Sequence, residues 1–105
     1  MAQNKKDEDN KIVLVGEKIS KIPSSKLPTL SQKLTYLNLA HNCITILPDM
    51  LFAQCVSLQK LNLTGNKICV IPNGIGNLNK LHWVNLSFNQ IGDLPPRYHV
   101  QDKLL

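Results

Sequence analysis

The stretch LTYLNLAHNCITILP, Leu34 to Pro48, decides how this chain folds. Its apolar residues Leu34, Leu37, Leu39, Ile44 and Leu47 follow neither the 3.6-residue spacing of a helix nor the plain alternation of a two-faced strand. An asparagine, Asn42, stands among them, and Pro48 closes the run. The same order returns as Leu58, Leu61, Leu63, Asn66, Ile68, Ile71, Pro72, and again as Leu81, Val84, Leu86, Asn89, Ile91, Leu94, Pro95. The step is 24 residues from Leu34 to Leu58 and 23 from Leu58 to Leu81. A worn copy precedes them with Ile12, Leu14, Ile19, Ile22 and Pro23, where Asp9 fills the first apolar slot and Glu17 the asparagine slot. A degenerate repeat over 9–33 and repeats over 34–57, 58–80 and 81–103 therefore take up nearly the whole chain. Self-similarity at such a period is the mark of a stacked array in which no copy can bury its apolar face alone.

The physical reading follows from the residue types. The LxLxx segment is a short strand whose alternate residues point inward, so Leu37, Leu39, Leu61, Leu63, Val84 and Leu86 belong to the core. Successive strands stack in parallel at about 4.7–4.9 Å, the wider return path bends the stack, and the sheet comes to lie on the inner side. After each strand the chain turns sharply and leaves backbone groups without sheet partners. An asparagine amide both donates and accepts, so Asn42, Asn66 and Asn89 form a column that satisfies those groups. Glu17 cannot donate when ionised, and the first turn is expected to be frayed, solvated or differently built. The prolines suit an extended or 3₁₀ return, with one short helical turn near Asp49–Ala53 whose interior Leu51 and Phe52 fill.

The three stretches LTYLNLAHNCITILP, LQKLNLTGNKICVIP and LHWVNLSFNQIGDLP resemble the leucine-rich repeat motif LxxLxLxxNxLxxLP. The LP ending and the period are most similar to the cytosolic Ras-suppressor-type members, and NGIGNLNKL, Asn73 to Leu81, is similar to their second half, with Ile75 and Leu78 closing the convex side. The resemblance implies an α/β, right-handed solenoid with a curved parallel sheet on the concave side and a mostly irregular or 3₁₀ convex side. It further implies a non-enzymatic protein-binding module, a cytosolic scaffold or regulator of signalling components.

Composition agrees with a single small domain, expected over 11–105 behind a disordered tail of residues 1–10. At 43% hydrophobic and 5% aromatic residues, the core has to be aliphatic. The longest apolar runs, such as Ile12 to Val15, fall far short of the roughly 20 residues that span a bilayer. The amino terminus, MAQNKKDEDNK, has no apolar head, which with three cysteines and no CxxC pair gives the expectation of a cytoplasmic or nuclear chain with reduced thiols. Of these, Cys55 substitutes for a core residue. The net charge is +5, and residues 18–105 carry nine basic groups against Asp49, Asp93 and Asp102. Binding of nucleic acid or an acidic surface is thus a rival reading. Against it, only Arg97 is an arginine and the lysines are scattered.

By register, the outward strand positions are Lys11, Val13 and Val15; Tyr36, Asn38, Ala40 and His41; Lys60, Asn62, Thr64 and Gly65; and Trp83, Asn85, Ser87 and Phe88. Two columns result: Lys11–Tyr36–Lys60–Trp83, alternating cation and aromatic, and Asn38–Asn62–Asn85. Trp and Tyr are frequent interface anchors, so Tyr36, Asn38, His41, Lys60, Asn62, Trp83, Asn85 and Phe88 are the candidate partner-binding residues. No catalytic, cofactor or metal site is expected. His41, His82 and His99 lack a common site, no carboxylate shares the outward positions, and NGIGN has no phosphate-binding lysine. The sequons at Asn62 and Asn85 are by-products of the repeat. After Pro95 the chain runs RYHVQDKLL, with Leu104 where another repeat would open. That end reads as a truncated array of purely structural role, or as an edge through which two copies form a homodimer.

Overall fold

The computed structural model describes residues 10–22 and 33–92. The tail before residue 10, the second half of the degenerate repeat including Pro23, and everything from Asp93 onward, with Leu94, Pro95, His99 and the Leu104 edge, lie outside the described residues.

Four short strands, β1 (Lys11–Val13), β2 (Tyr36–Asn38), β3 (Lys60–Asn62) and β4 (Trp83–Asn85), form one parallel sheet in chain order. Their register is the one set by the repeats: Ile12 pairs with Leu37, Leu37 with Leu61, and Leu61 with Val84. Backbone bonding continues past the strands, with Leu39 N donating to Asn62 O at 2.9 Å and His41 N to Thr64 O at 2.8 Å. Beyond the turn the sense reverses, and Lys67 N donates to Ile44 O at 2.9 Å.

The core is built of layers taken from equivalent positions. Leu34, Leu58 and Leu81 form one, Leu37, Leu61 and Val84 a second, Leu39, Leu63 and Leu86 a third, and Ile44 with Ile68 a fourth; all are buried. Each fully buried aliphatic side chain contributes about 1.5–3 kcal/mol relative to exposure, and it finds that shelter between its counterparts in adjoining repeats.

On the side away from the sheet, the return paths of the second and third repeats begin at their prolines. Pro48 precedes α1 (Asp49–Gln54), and Pro72 precedes a 3₁₀ turn (Asn73–Asn77), both prolines being extended. Leu51, Phe52, Cys55, Ile75 and Leu78 fill the interior beneath them. The 24-residue repeat carries the six-residue α-helix and the 23-residue repeat the five-residue 3₁₀ turn. At rises of about 1.5 and 2.0 Å per residue these span about 9 and 10 Å, so the extra residue is absorbed without disturbing the register of the sheet.

The asparagines are placed as their chemistry requires, with a direction that their spacing does not reveal. Asn66 is buried; its Oδ1 accepts from Ile44 N at 3.0 Å, and its Nδ2 donates to Leu39 O and Leu63 O, both at 3.0 Å. Asn89 does the same one repeat later, with Ile68 N at 3.0 Å and Leu63 O at 2.8 Å. Each amide thus completes the turn of the preceding copy as well as its own. The first turn is accordingly served by Asn42, whose Oδ1 accepts from Glu17 N at 2.8 Å and Ile19 N at 3.0 Å. Glu17 itself is exposed and is not asked to donate through its side chain.

Candidate functional site

The sheet face carries three rows of residues. The first is Lys11–Tyr36–Lys60–Trp83, aligned strand by strand; the lysines are exposed and the rings half-buried. With Thr35 and Gln59 these four line an open depression of about 580 Å³. The backbone carbonyls at this edge of the sheet are committed: Asn10 O accepts from Thr35 N and Tyr36 N, Thr35 O from Gln59 N and Lys60 N, and Gln59 O from His82 N and Trp83 N. Tyr36 Oη accepts from Asn38 Nδ2 at 3.0 Å, which ties the ring to the next row.

That second row is Val13–Asn38–Asn62–Asn85. Its asparagines have a structural duty that the repeat pattern did not disclose. Asn38 Oδ1 accepts from Ala40 N at 3.1 Å, Asn62 Oδ1 from Thr64 N at 3.1 Å, and Asn85 Oδ1 from Ser87 N at 3.0 Å. Each side chain closes a local turn at the end of its strand, as short amides commonly do. Ala40, expected to face outward, is buried.

The third row is Gly16–His41–Gly65–Phe88, and all four residues lie in the left-handed region, at φ 67°, 57°, 71° and 56°. The turn demands this conformation of every copy. Two copies meet the demand with glycine and two with side chains that adopt it at a cost of roughly 1–2 kcal/mol. A Cβ at Gly65 would stand 2.5 Å from His41 Nδ1, so the imidazole occupies the space that the glycine leaves. Phe88 projects into solvent at 83% exposure. Glycine at two of four equivalent positions was the sequence signal for this row.

The remaining reactive groups are dispersed. His82 Nδ1 lies 3.3 Å from Lys80 O, at the opposite end of the strands from His41. Among the described residues no three His, Cys, Asp or Glu side chains come together as metal ligands, and no helix is long and apolar enough to cross a membrane. Cys43, Cys55 and Cys69 are all free thiols. Burial pushes the Cys55 thiol up to about 11.

The leucine-rich repeat family model matches residues 10–68, and a second leucine-rich repeat model matches residues 77–94. Leucine-rich repeat-containing G-protein coupled receptor 5 of Rattus norvegicus is 33% identical over 80% of this chain and 12% of its own length. Lumican of Gallus gallus is 38% identical over 68% of this chain and 22% of its own. A solved structure of a leucine-rich repeat protein from Leptospira interrogans superposes with a TM-score of 0.66 at 38% identity, covering 74% of this chain and 19% of that one. The chain thus spans less than a quarter of each of these proteins.

Proposed function

We propose that this chain, which belongs to the leucine-rich repeat family, is a non-enzymatic interaction module that holds a protein partner on its concave sheet face. Leucine-rich repeat proteins are generally protein-interaction modules, and this one has aromatic anchors at the registers a partner would meet. The observation that carries the reading is Phe88, a large apolar ring kept in solvent on a left-handed residue where two other copies have glycine. Strain of that kind persists where something other than stability favours the side chain.

Around Phe88 the binding surface takes in Tyr36, Asn38, His41, Lys60, Asn62, Trp83 and Asn85. The three asparagines commit Oδ1 to the backbone, which leaves the Nδ2 group of Asn62 and Asn85 as the side a partner can use. A scaffold or regulator of signalling of the Ras-suppressor type, in the cytoplasm or nucleus, is the finer form of the proposal. The free thiols support that location; the relatives' names do not, since one of them is a G-protein coupled receptor.

Affinity capture with the wild type beside a Tyr36→Ala/Trp83→Ala double variant tests the reading. Proteins captured by the wild type and lost from a variant with an unchanged thermal midpoint support it. Identical capture by both refutes it, and unfolding of the variant would place Trp83 in the core.

A further inference from the structure

We infer that the depression at Lys11, Tyr36, Lys60 and Trp83 receives an acidic peptide segment laid across the strands; this rests on the concave-face reading and specifies the chemistry of the partner.

The argument begins with hydrogen-bonding capacity. The carbonyls of Asn10, Thr35 and Gln59 at this edge each already accept two backbone N–H groups. Tyr36 Oη already accepts from Asn38, and its hydroxyl proton remains to be given. What the depression has left is mainly donors: two ammonium groups, a phenol, an indole N–H and the Gln59 amide. Such a lining favours a ligand rich in acceptors, and the charge points the same way. No Asp or Glu lines the depression, and among the described residues neither Lys11 nor Lys60 has a carboxylate partner. The two described acids lie elsewhere, Glu17 in the turn past β1 and Asp49 at the start of α1 on the far side. Lys33 and Lys80 stand three residues before Tyr36 and Trp83 and add to the positive field of this edge.

Spacing selects a peptide. Lys11 and Lys60 lie two strands apart, about 9.4–9.8 Å between backbones. In a polyproline II segment, residues three apart share a face and are separated by about 9.3 Å. Carboxylates at that interval meet the two lysines, while Tyr36, on the strand between them, takes the intervening residues against its ring and Trp83, one strand beyond Lys60, takes those that follow. The depression contains no arginine, the side chain that grips phosphate in two-point fashion.

The test uses the full chain and a fluorescein-labelled peptide of about eight residues with glutamate at every third position and proline between. A matched glutamine peptide and an oligothymidylate of equal charge serve as comparisons. A control chain with Asp7→Asn, Glu8→Gln and Asp9→Asn removes the acidic run upstream of Lys11 as a competitor. By anisotropy the glutamate peptide should bind at least about fivefold tighter than the glutamine peptide, and Lys11→Gln/Lys60→Gln should lose at least about fivefold. Both lysines are exposed, so the variant should keep its circular dichroism and thermal midpoint. Equal binding of the glutamine peptide, indifference to the lysine substitutions, or equally tight binding of the oligothymidylate would overturn the inference. If the peptide fails while capture still depends on Tyr36 and Trp83, the acidic partner falls and the concave-face reading survives. If capture is indifferent as well, both fall.

Discussion

Replacing Asn66 by alanine isolates the interaction on which the stacking depends. Three groups lose a partner at 3.0 Å, and they do not lose equally; the longer contact to Thr64 O, at 3.4 Å, leaves that carbonyl its bond from His41 N. Leu39 O keeps the donor from Asn42 Nδ2 at 2.9 Å, and Leu63 O keeps the one from Asn89 Nδ2 at 2.8 Å. Ile44 N loses the Oδ1 acceptor that holds it, inside a residue with no exposed surface. One orphaned buried N–H costs about 1–3 kcal/mol, and each of the two weakened carbonyls about 0.5–1.5 kcal/mol. The expected loss is about 2–6 kcal/mol, a large share of the stability of a small domain. Asn89→Ala strips Ile68 N in the same way, but its bonds are only partly buried and water can replace them, so about 1–2 kcal/mol is expected. Urea unfolding followed by far-ultraviolet circular dichroism and Trp83 fluorescence gives both values. With a slope of about 1–3 kcal/mol/M, a loss of 3 kcal/mol moves the midpoint by about 1–3 M. Asn66→Asp retains the acceptor for Ile44 N but turns a carboxylate toward two carbonyls, and it should be no better than alanine. Equal losses at Asn66 and Asn89, or less than about 1 kcal/mol at Asn66, would refute the reasoning.

Phe88→Gly should raise the thermal midpoint, worth about 0.5–1 kcal/mol once the backbone entropy of glycine is set against the relieved left-handed strain, while weakening partner capture. Gly65→Ala should cost about 2 kcal/mol or more by urea titration, and His41→Gly in the same chain should recover the part due to the imidazole, leaving the strain at φ 71°. Iodoacetamide at pH 8 should label exposed Cys69 first and Cys55 only on unfolding, because burial keeps the Cys55 thiol protonated. The raised thiol also fixes a sign: folding favours the neutral form, so its contribution to stability is intact below pH 9 and is lost as the pH climbs to about 11, which Cys55→Ala should abolish in a pH series.

The repeat pattern carried the strand register because alternation leaves no choice once Leu37, Leu61 and Val84 must share a layer. The columns Lys11–Tyr36–Lys60–Trp83 and Asn38–Asn62–Asn85 followed from it and stand as expected. Leu51 and Phe52 fill the interior beneath the helix at Asp49–Gln54 as their spacing implies. What spacing could not convey was which turn each asparagine serves. Asn42 lies 25 residues from Glu17 and 23 from Ile19, and only the stacked geometry brings them together. The role of Asn38, Asn62 and Asn85 was hidden for another reason. A bond from a side chain to the backbone two residues on leaves no trace in hydropathy, and the residues look like surface polars.

Because every amide reaches back to the copy before it, the solenoid has a polarity. A junction in the return path leaves the upstream strands whole but parts their last bend from the amide that locks it, which stands in the next copy. Chimaeras that join this array to another should therefore be spliced in the return path, between a proline and the next strand, and the incoming module must bring its own asparagine to secure the bend it inherits.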